Sequence, residues 1–139
     1  IEPGDQVLVL DTPLGRLGIL VCYDLRFPEQ ARALQQLGLD MIALPAAFTA
    51  RTGQAHWETL VRARAIENLS YVIAAAQGGD HPSGRTTYGH SMIVDPWGAI
   101  LSEYAQGPGC ITATINRDLL QRLRTSFPVL THRRLPLVE

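Results

Sequence analysis

A corner between a strand and a helix is encoded by residues 18–29, which read GILVCYDLRFPE. The apolar run that begins this stretch ends at Val21, and apolar residues then recur at helical spacing, with Pro28 in the first turn and Gly38 as the stop. The chain must therefore turn sharply within a few residues. Such a corner presents its side chain at the carboxyl edge of a sheet, where α/β folds place their sites, and here that side chain is Cys22.

Strands and helices alternate on both sides of this corner. The predicted elements are a hairpin over 7–10 and 17–21, a helix over 27–37, a strand over 41–44 ended by Pro45, a loop over 46–53, a helix over 54–69, a buried strand over 71–76, a hairpin over 90–94 and 99–102, a strand over 110–115 and a helix over 118–123. This order predicts an α/β fold in which helices cover at least one face of a mixed β-sheet.

The longer predicted helix carries apolar residues on more than one side. We therefore expect a sheet on one flank and a partner surface on the other. Two ion pairs fit its spacing, Glu58 with Arg62 at i+4 and Arg64 with Glu67 at i+3. Each contributes about 0.2–0.5 kcal/mol where the pair is exposed. These pairs are interpreted as support for the helix, not as functional groups.

The composition restricts the class of protein. The 139 residues are 46% hydrophobic and 18% charged, which provides the core of one domain or part of one. Thirteen acidic residues balance twelve basic ones, and only Arg133 and Arg134 form a basic cluster, which argues against nucleic acid or a membrane surface as a partner. No apolar run approaches the roughly 20 residues that span a bilayer. Residues 1–20 show no secretory signal, so a cytoplasmic location is expected.

Cysteine is the residue type that offers chemistry here. Cys22 and Cys110 lie far apart without metal-ligand spacing, so neither a disulfide scaffold nor a metal site is predicted. A thiol with a pKa of about 8.5 is mostly protonated at neutral pH, so a nucleophilic Cys22 needs a base or a positive neighbour. The backbone N–H of Tyr23 is expected to face the same space and to suit a developing oxyanion. The alternative is a buried, inert cysteine, which is the favoured interpretation of Cys110.

The base that would activate Cys22 is left open by the residues alone. Histidines more often cap or hydrogen-bond within a core, and glutamates more often pair with arginines, than act as bases. The candidates are His56, His81, His90, His132, Glu29, Glu58 and Glu67. No G-x-S-x-G elbow is present, so Ser91 is interpreted as a strand residue. All twelve basic residues are arginines, so the chain offers no lysine ammonium group.

Residues 18–29 resemble the nucleophile segment of the nitrilase, or carbon–nitrogen hydrolase, superfamily. Further stretches resemble successive blocks of the family in the family's order, and the resemblance spans essentially the whole chain. These stretches are PAAFT (45–49), TGQAHWE (52–58), RARAIEN (62–68), AAQ (75–77), YGHSM (88–92) and DPWG (95–98). Within the superfamily the chain is most similar to the amidases that hydrolyse deaminated glutathione, with the ω-amidases a step further away.

The resemblance implies a fold and a chemistry. The fold is a four-layer α-β-β-α sandwich, usually dimerised through helices. The chemistry is hydrolysis of a non-peptide C–N bond by a Glu-Lys-Cys triad through a cysteine thioester, with no metal or organic cofactor. The implied substrate is a small carboxylate-bearing linear amide such as deaminated glutathione.

The family's roles map onto individual residues of this sequence. Cys22 takes the place of the nucleophile, and the backbone N–H of Tyr23 that of the oxyanion donor. Asp24 is expected to brace the turn by accepting hydrogen bonds from backbone N–H groups. Arg26 falls where some relatives hold a substrate carboxylate, which its planar fork suits, although pairing with Glu29 or another structural acid is the alternative.

The loop after the strand over 41–44 supplies two further candidates. Phe48 and Thr49 are expected to line the substrate pocket, with packing in the core as the stronger alternative for Phe48.

Two members of the implied triad are missing from the sequence. In the family, the glutamate and lysine lie on the N-terminal side of the cysteine, whereas here only Glu2 precedes Cys22 and no lysine exists. Residues 1–139 are therefore expected to be a partial, C-terminal portion of the family domain. Alone it is expected to be inactive and poorly stable, because it would expose sheet edges and an apolar face. The alternatives are a non-catalytic dimerising or regulatory fragment and a relative that transfers the acyl group elsewhere than to water.

Overall fold

The computed structural model describes residues 2–135. In this part of the chain the helices and strands follow one another in the predicted α/β order. They are β1 (Val9–Thr12), β2 (Gly15–Ile19), a 3-10 helix (Cys22–Arg26), α1 (Pro28–Gln36), β3 (Met41–Ala46), α2 (Ala50–Asn68), β4 (Tyr71–Ala76), β5 (Gly78–Asp80), β6 (Thr86–Tyr88), β7 (Ser91–Val94), β8 (Ile100–Tyr104) and α3 (Arg117–Ser126). The 3-10 helix is called the Cys22 turn below.

Six strands form one mixed sheet in the order β1-β2-β3-β4-β7-β8. The three strands β2, β3 and β4 are parallel, and the hairpins β1–β2 and β7–β8 flank them with antiparallel pairs. Strands β5 and β6 form a separate two-stranded ladder. The predicted α/β class and both predicted hairpins are confirmed. Since the parallel strands run in one direction, their carboxyl ends meet at one edge of the sheet.

The pleat of the central strands divides the apolar residues between two faces. Ile42 and Val72 lie in the larger core, where α1 and α2 contribute Leu34, Trp57 and Val61. On the opposite face, Met41 and Tyr71 pack with Leu120 of α3 in a smaller cluster. The core therefore lies mainly between the sheet and the layer formed by α1 and α2. Among residues 2–135, no helix is long and apolar enough to cross a bilayer.

Strand β3 continues past the predicted end at Pro45, which pairs with Ala75 of β4. The Ala43 carbonyl accepts a hydrogen bond from Leu20 N–H at 3.0 Å, so residues 43 and 45 direct their backbone polar groups toward β2. Since β2 ends at Ile19, the missing N–H of proline removes no hydrogen bond from the ladder.

Helix α2 begins at Ala50, four residues before the predicted start, and the predicted loop over 46–53 is correspondingly shorter. Gly53 suggested a loop, but it is buried in the first turns of α2. A Cβ atom added at Gly53 would lie 2.2 Å from Cβ of Tyr88. Gly53 is therefore needed because it lacks a side chain, which lets the β5–β6 ladder approach α2 closely.

The predicted strand over 110–115 is wrong. These residues belong to no ladder in the described part of the chain, although their exposure alternates, with Ile111, Ala113 and Ile115 half-buried. The alternation reflects one side of an extended segment packing onto the protein without strand pairing. The predicted helix after it is confirmed and extends from Arg117 to Ser126.

A tyrosine hydroxyl fixes the chain where this segment enters α3. The Tyr71 hydroxyl donates to the Asn116 carbonyl at 3.3 Å and accepts from the Asn116 N–H at 3.1 Å. The Tyr71 side chain is buried. Burial raises the pKa of Tyr71 above its ordinary value of 10.0, although the hydrogen bond with Asn116 opposes the shift.

Replacing Tyr71 with Phe should lower the free energy of unfolding by about 1–2 kcal/mol, because the Asn116 N–H loses its acceptor and the Asn116 carbonyl keeps only the N–H of Leu120 as a donor. Urea unfolding followed by circular dichroism measures the change. Since the folded state holds the tyrosine proton more tightly, wild-type stability should also fall as the pH rises through 10.0 toward the folded pKa, and Tyr71→Phe should lose less there.

Tyr104→Phe is the matched control, because the Tyr104 hydroxyl donates to the Pro108 carbonyl at 3.4 Å in an exposed position. It should change stability by less than about 0.5 kcal/mol. Equal losses of unfolding free energy in the two variants would show that the hydrogen bonds between Tyr71 and Asn116 do not stabilise the fold.

Candidate active site

The Cys22 turn is closed by a reciprocal pair of hydrogen bonds. Asp24 N–H donates to the Val21 carbonyl at 3.0 Å, and Val21 N–H donates to Oδ2 of Asp24 at 2.9 Å. The prediction that Asp24 braces this turn is confirmed. Cys22 and Tyr23 lie inside the ring that these two bonds close.

Cys22 occupies the left-handed region of backbone conformation, with φ of +49°. Non-glycine residues held there cost about 1–3 kcal/mol, and they persist only where the surroundings enforce the conformation. The preceding residue, Val21, is extended, with φ of −122° and ψ of 113°. The chain therefore changes direction at the cysteine itself, directly beyond the carboxyl end of β2.

The environment of Cys22 is intermediate between core and solvent. Its side chain is half-buried and packs against the larger core, and the neighbouring Leu25 is fully buried beneath the turn. Both Cys22 and Cys110 are free thiols, and the expectation that Cys110 is buried is wrong, because Cys110 is exposed. The Cys22 side chain is thus partly exposed, and the alternative of a fully buried cysteine is not observed.

Arg26 lies at the other end of the Cys22 turn and forms no ion pair within residues 2–135. The alternative pairing with Glu29 is therefore not observed. Its guanidinium carbon lies 5.0 Å from the ring centroid of Phe48 and 5.6 Å from that of Tyr23. The two rings hold the guanidinium by cation–π contact, which uses none of its N–H donors.

A cleft of about 180 Å³ opens beside this guanidinium. The residues that line it are Arg26, Ala55, His56, Thr59 and Leu60. Nη1 of Arg26 lies 3.4 Å from Nδ1 of His56. The cleft thus places the Arg26 guanidinium beside an imidazole nitrogen, and no carboxylate of the described chain forms an ion pair with Arg26.

The two predicted pocket residues in the loop after β3 have different environments. Phe48 is buried and makes an edge-to-face contact with Trp57 at 5.0 Å between ring centroids, as the alternative of core packing expected. Thr49 is exposed at the N-terminal boundary of α2, where its Oγ1 lies 2.8 Å from Oγ1 of Thr52. The structure therefore brings Tyr23, Arg26 and Phe48 into contact, and shows no side-chain hydrogen bond between Thr49 and them.

Five of the seven candidate bases contact other side chains. His81 lies 2.8 Å from Oγ1 of Thr87, and His90 lies 2.6 Å from Glu103 and stacks on Tyr88. Both predicted ion pairs of α2 form, Glu58–Arg62 at 3.0 Å and Arg64–Glu67 at 2.7 Å. In the part of the chain that the structure describes, no hydrogen bond joins Cys22 to a histidine or a glutamate.

Arg64 does more than pair with Glu67 along the helix, which is the role predicted for it. Only 4% of the residue is exposed, and Nε donates to the Leu25 carbonyl of the Cys22 turn at 3.0 Å. Its helical spacing from the apolar residues Trp57 and Val61, seven and three positions earlier, was the sequence signal for a buried position. A group that contacts the turn was therefore missed by reading the ion pair as surface support.

Residues 1–125 match the sequence model of a family described as carbon–nitrogen hydrolase. The chain belongs to this family. It is 51% identical over 125 residues to the deaminated glutathione amidase of Bos taurus, an alignment that covers 90% of this chain and 38% of that protein. The resemblance read from the sequence blocks is thus confirmed at the level of the family.

Solved structures of carbon–nitrogen hydrolases share the fold. Saccharomyces cerevisiae Nit3, a member of branch 10 of the nitrilase superfamily, matches with a TM-score of 0.89 and 35% identity, over 97% of this chain and 50% of that one. A variant of the amidase from Nesterenkonia sp. AN1, with acrylamide added at its active site cysteine, matches with a TM-score of 0.75 and 32% identity, over 91% of this chain and 50% of that one. The chain thus spans half or less of the length of these relatives.

Replacing Asp24 with Ala removes the acceptor that closes the ring around Cys22, so the free energy of unfolding should fall by about 1–3 kcal/mol. Chemical unfolding followed by circular dichroism measures the loss. Asp24→Asn is the control, because its amide oxygen is still able to accept from Val21 N–H, and it should lose less. If the two variants unfold at the same urea concentration, the reciprocal bonds do not hold this turn.

Proposed function

We propose that this carbon–nitrogen hydrolase chain carries the nucleophile of an amidase, and that Cys22 forms a thioester with its substrate. One observation carries the proposal: in a chain of this family, a half-buried free thiol is held at a left-handed corner beyond the end of a parallel strand. The relatives support the class of reaction, since proteins named deaminated glutathione amidase are 46–53% identical to this chain.

The proposed reaction has two stages. The Cys22 thiol gives its proton to a base, and Sγ attacks the amide carbonyl carbon to form a tetrahedral intermediate. The backbone N–H of Tyr23 donates to the oxyanion. The intermediate collapses, the C–N bond breaks, and the nitrogen leaves as ammonia or an amine after taking up the proton. Water then attacks the thioester, which releases a carboxylic acid and restores the thiol.

The base and a cationic oxyanion donor are proposed to come from protein outside these 139 residues. The chain contains no lysine, and Cys22 has no glutamate or histidine at hydrogen-bond distance in the described structure. The alignment with this chain covers 38% of the Bos taurus amidase, so that protein is more than twice as long as the aligned stretch. On this proposal, residues 1–139 form the portion of the family domain that follows the glutamate and the lysine.

The substrate is proposed to be a small linear amide that carries a carboxylate, such as deaminated glutathione. Arg26 supports this choice, because its guanidinium has aromatic rings against it but no carboxylate partner within residues 2–135. An arginine fork binds a carboxylate through two parallel hydrogen bonds. Phe48 keeps the guanidinium in place by cation–π contact, and Thr49 is proposed to border the same pocket.

A second candidate is a dimerising or regulatory role without catalysis, which the absence of lysine favours. It is distinguished by the reading frame that encodes these residues: glutamate and lysine motifs upstream support the amidase, and a translation start near Ile1 supports the regulatory role. An acyl-transferring relative is distinguished by product analysis with competing nucleophiles, because it would pass the thioester to an amine in preference to water.

Association through helices is proposed as well, with a cytoplasmic location. The outward side of α2 exposes 45% of Ile66, next to the turn that carries Trp97. Trp97 and Phe127 form an edge-to-face pair at 5.6 Å and are also exposed. An apolar surface of this kind is consistent with the partner surface expected on one flank of α2.

Cys22→Ala should abolish amide hydrolysis in the full-length enzyme and leave the fold intact, because it removes the attacking sulfur and little volume. Release of the dipeptide amine from deaminated glutathione and the circular dichroism spectrum measure the two effects. Cys110→Ala is the control and should keep full turnover, since Cys110 is exposed and lies in the extended segment before α3. Residual turnover near the wild-type rate in Cys22→Ala would overturn the assignment of the nucleophile.

Arg26→Lys should reduce kcat/KM for a carboxylate-bearing amide by about tenfold to a hundredfold, because a point charge replaces a two-point fork. A neutral amide of similar size should be affected much less. The ratio of the two kcat/KM values is the measurement. Equal losses for both substrates would assign Arg26 to the structure of the turn.

A further inference from the structure

A buried cation connects the middle of α2 to the Cys22 turn. The guanidinium of Arg64 donates from Nε to the Leu25 carbonyl at 3.0 Å and from Nη1 to Oε1 of Glu67 at 2.7 Å. Nδ2 of Asn68 donates to the Arg64 carbonyl at 3.0 Å. Because only 4% of Arg64 is exposed, these bonds are poorly replaced by water when the side chain is shortened.

The contact with Leu25 holds the end of the turn that the Val21–Asp24 ring does not reach. The ring closes over the first residues of the turn, and the Leu25 carbonyl lies three residues beyond the cysteine. Phe27 N–H donates to the Asp24 carbonyl, so the chain leaves the turn in an extended conformation before α1 begins. The left-handed cysteine is thus held from both ends.

We propose that Arg64 is a positioning residue for Cys22: its hydrogen bond to Leu25 keeps the turn from relaxing and so keeps Sγ in line with the substrate carbonyl. The inference rests on the proposed function, because it assigns Arg64 a role in the reaction of Cys22. Arg64 does not touch the substrate in this account. Its contribution is to the rate of attack, and binding of the substrate does not depend on it.

The same helix offers an internal match. Arg62 also donates from Nε to a backbone carbonyl, that of Gly98 at 2.9 Å, and from Nη1 to a glutamate of α2, Glu58, at 3.0 Å. The Gly98 carbonyl that Arg62 binds belongs to the turn between β7 and β8, whereas the Leu25 carbonyl that Arg64 binds belongs to the Cys22 turn. Arg62 is less buried than Arg64, so comparison at equal folded fraction is required.

The experiment compares Arg64→Lys with Arg62→Lys in the full-length enzyme, at a temperature where both are fully folded. Arg64→Lys should lower kcat by about 10- to 100-fold with KM unchanged, as expected for misplacement of a reacting atom. Amide hydrogen exchange should accelerate in the peptide over 21–26. Arg62→Lys should leave kcat, KM and exchange in that peptide as in the wild type.

Glu67→Ala and Glu58→Ala provide a milder pair, because both glutamates are partly exposed and their loss leaves each arginine in place. Glu67→Ala should lower kcat without changing KM, and Glu58→Ala should change neither. If Arg64→Lys does not fold, this pair decides the question. Equal kcat values within the measured pair would overturn the positioning role.

The outcome of Cys22→Ala separates this inference from the proposed function. If Cys22→Ala is inactive and the arginine variants turn over alike, only the role of Arg64 is wrong. If Cys22→Ala remains active, the nucleophile itself is wrong, and the role of Arg64 falls with it.

Discussion

The site depends on two hydrogen bonds between Val21 and Asp24 that close around Cys22. They hold a non-glycine residue in the left-handed region, a conformation that costs about 1–3 kcal/mol and would otherwise relax. The bend lets the chain pass from β2 toward α1 while the cysteine side chain stays at the sheet edge. The strained backbone at Cys22 is therefore what exposes its thiol at the sheet edge.

The surrounding elements act on this corner from several directions. The parallel strands align their carboxyl ends so that the loop after β3 lies beside the turn, and Phe48 from that loop packs against the guanidinium of Arg26. Helix α2 reaches the turn through Arg64. In the proposed amidase, this chain supplies the nucleophile, an oxyanion donor and a carboxylate-binding cation, and a base and a lysine come from protein that these 139 residues do not include.

Short-range patterns predicted the strand-to-helix corner, both hairpins, the helices and the α/β class, because each depends on neighbours in sequence. Features set by distant contacts were missed. Gly53 was read as part of a loop, although its role is to admit Tyr88 from another ladder. The alternation over 110–115 predicted a strand, yet no neighbouring strand pairs with it in the described structure. Arg64 was assigned only its pair with Glu67, because its bond to the Leu25 carbonyl joins residues 39 positions apart.

Acrylamide tests the central claim most directly, since it adds to the active site cysteine in a variant of the Nesterenkonia amidase. The full-length enzyme is treated with less than one equivalent, and the modified peptides are identified by mass spectrometry. Cys110 is the more exposed of the two thiols, so exposure alone would favour it. The account predicts that Cys22 is modified first. Modification of Cys110 first, with Cys22 reacting only after unfolding in urea, would contradict it.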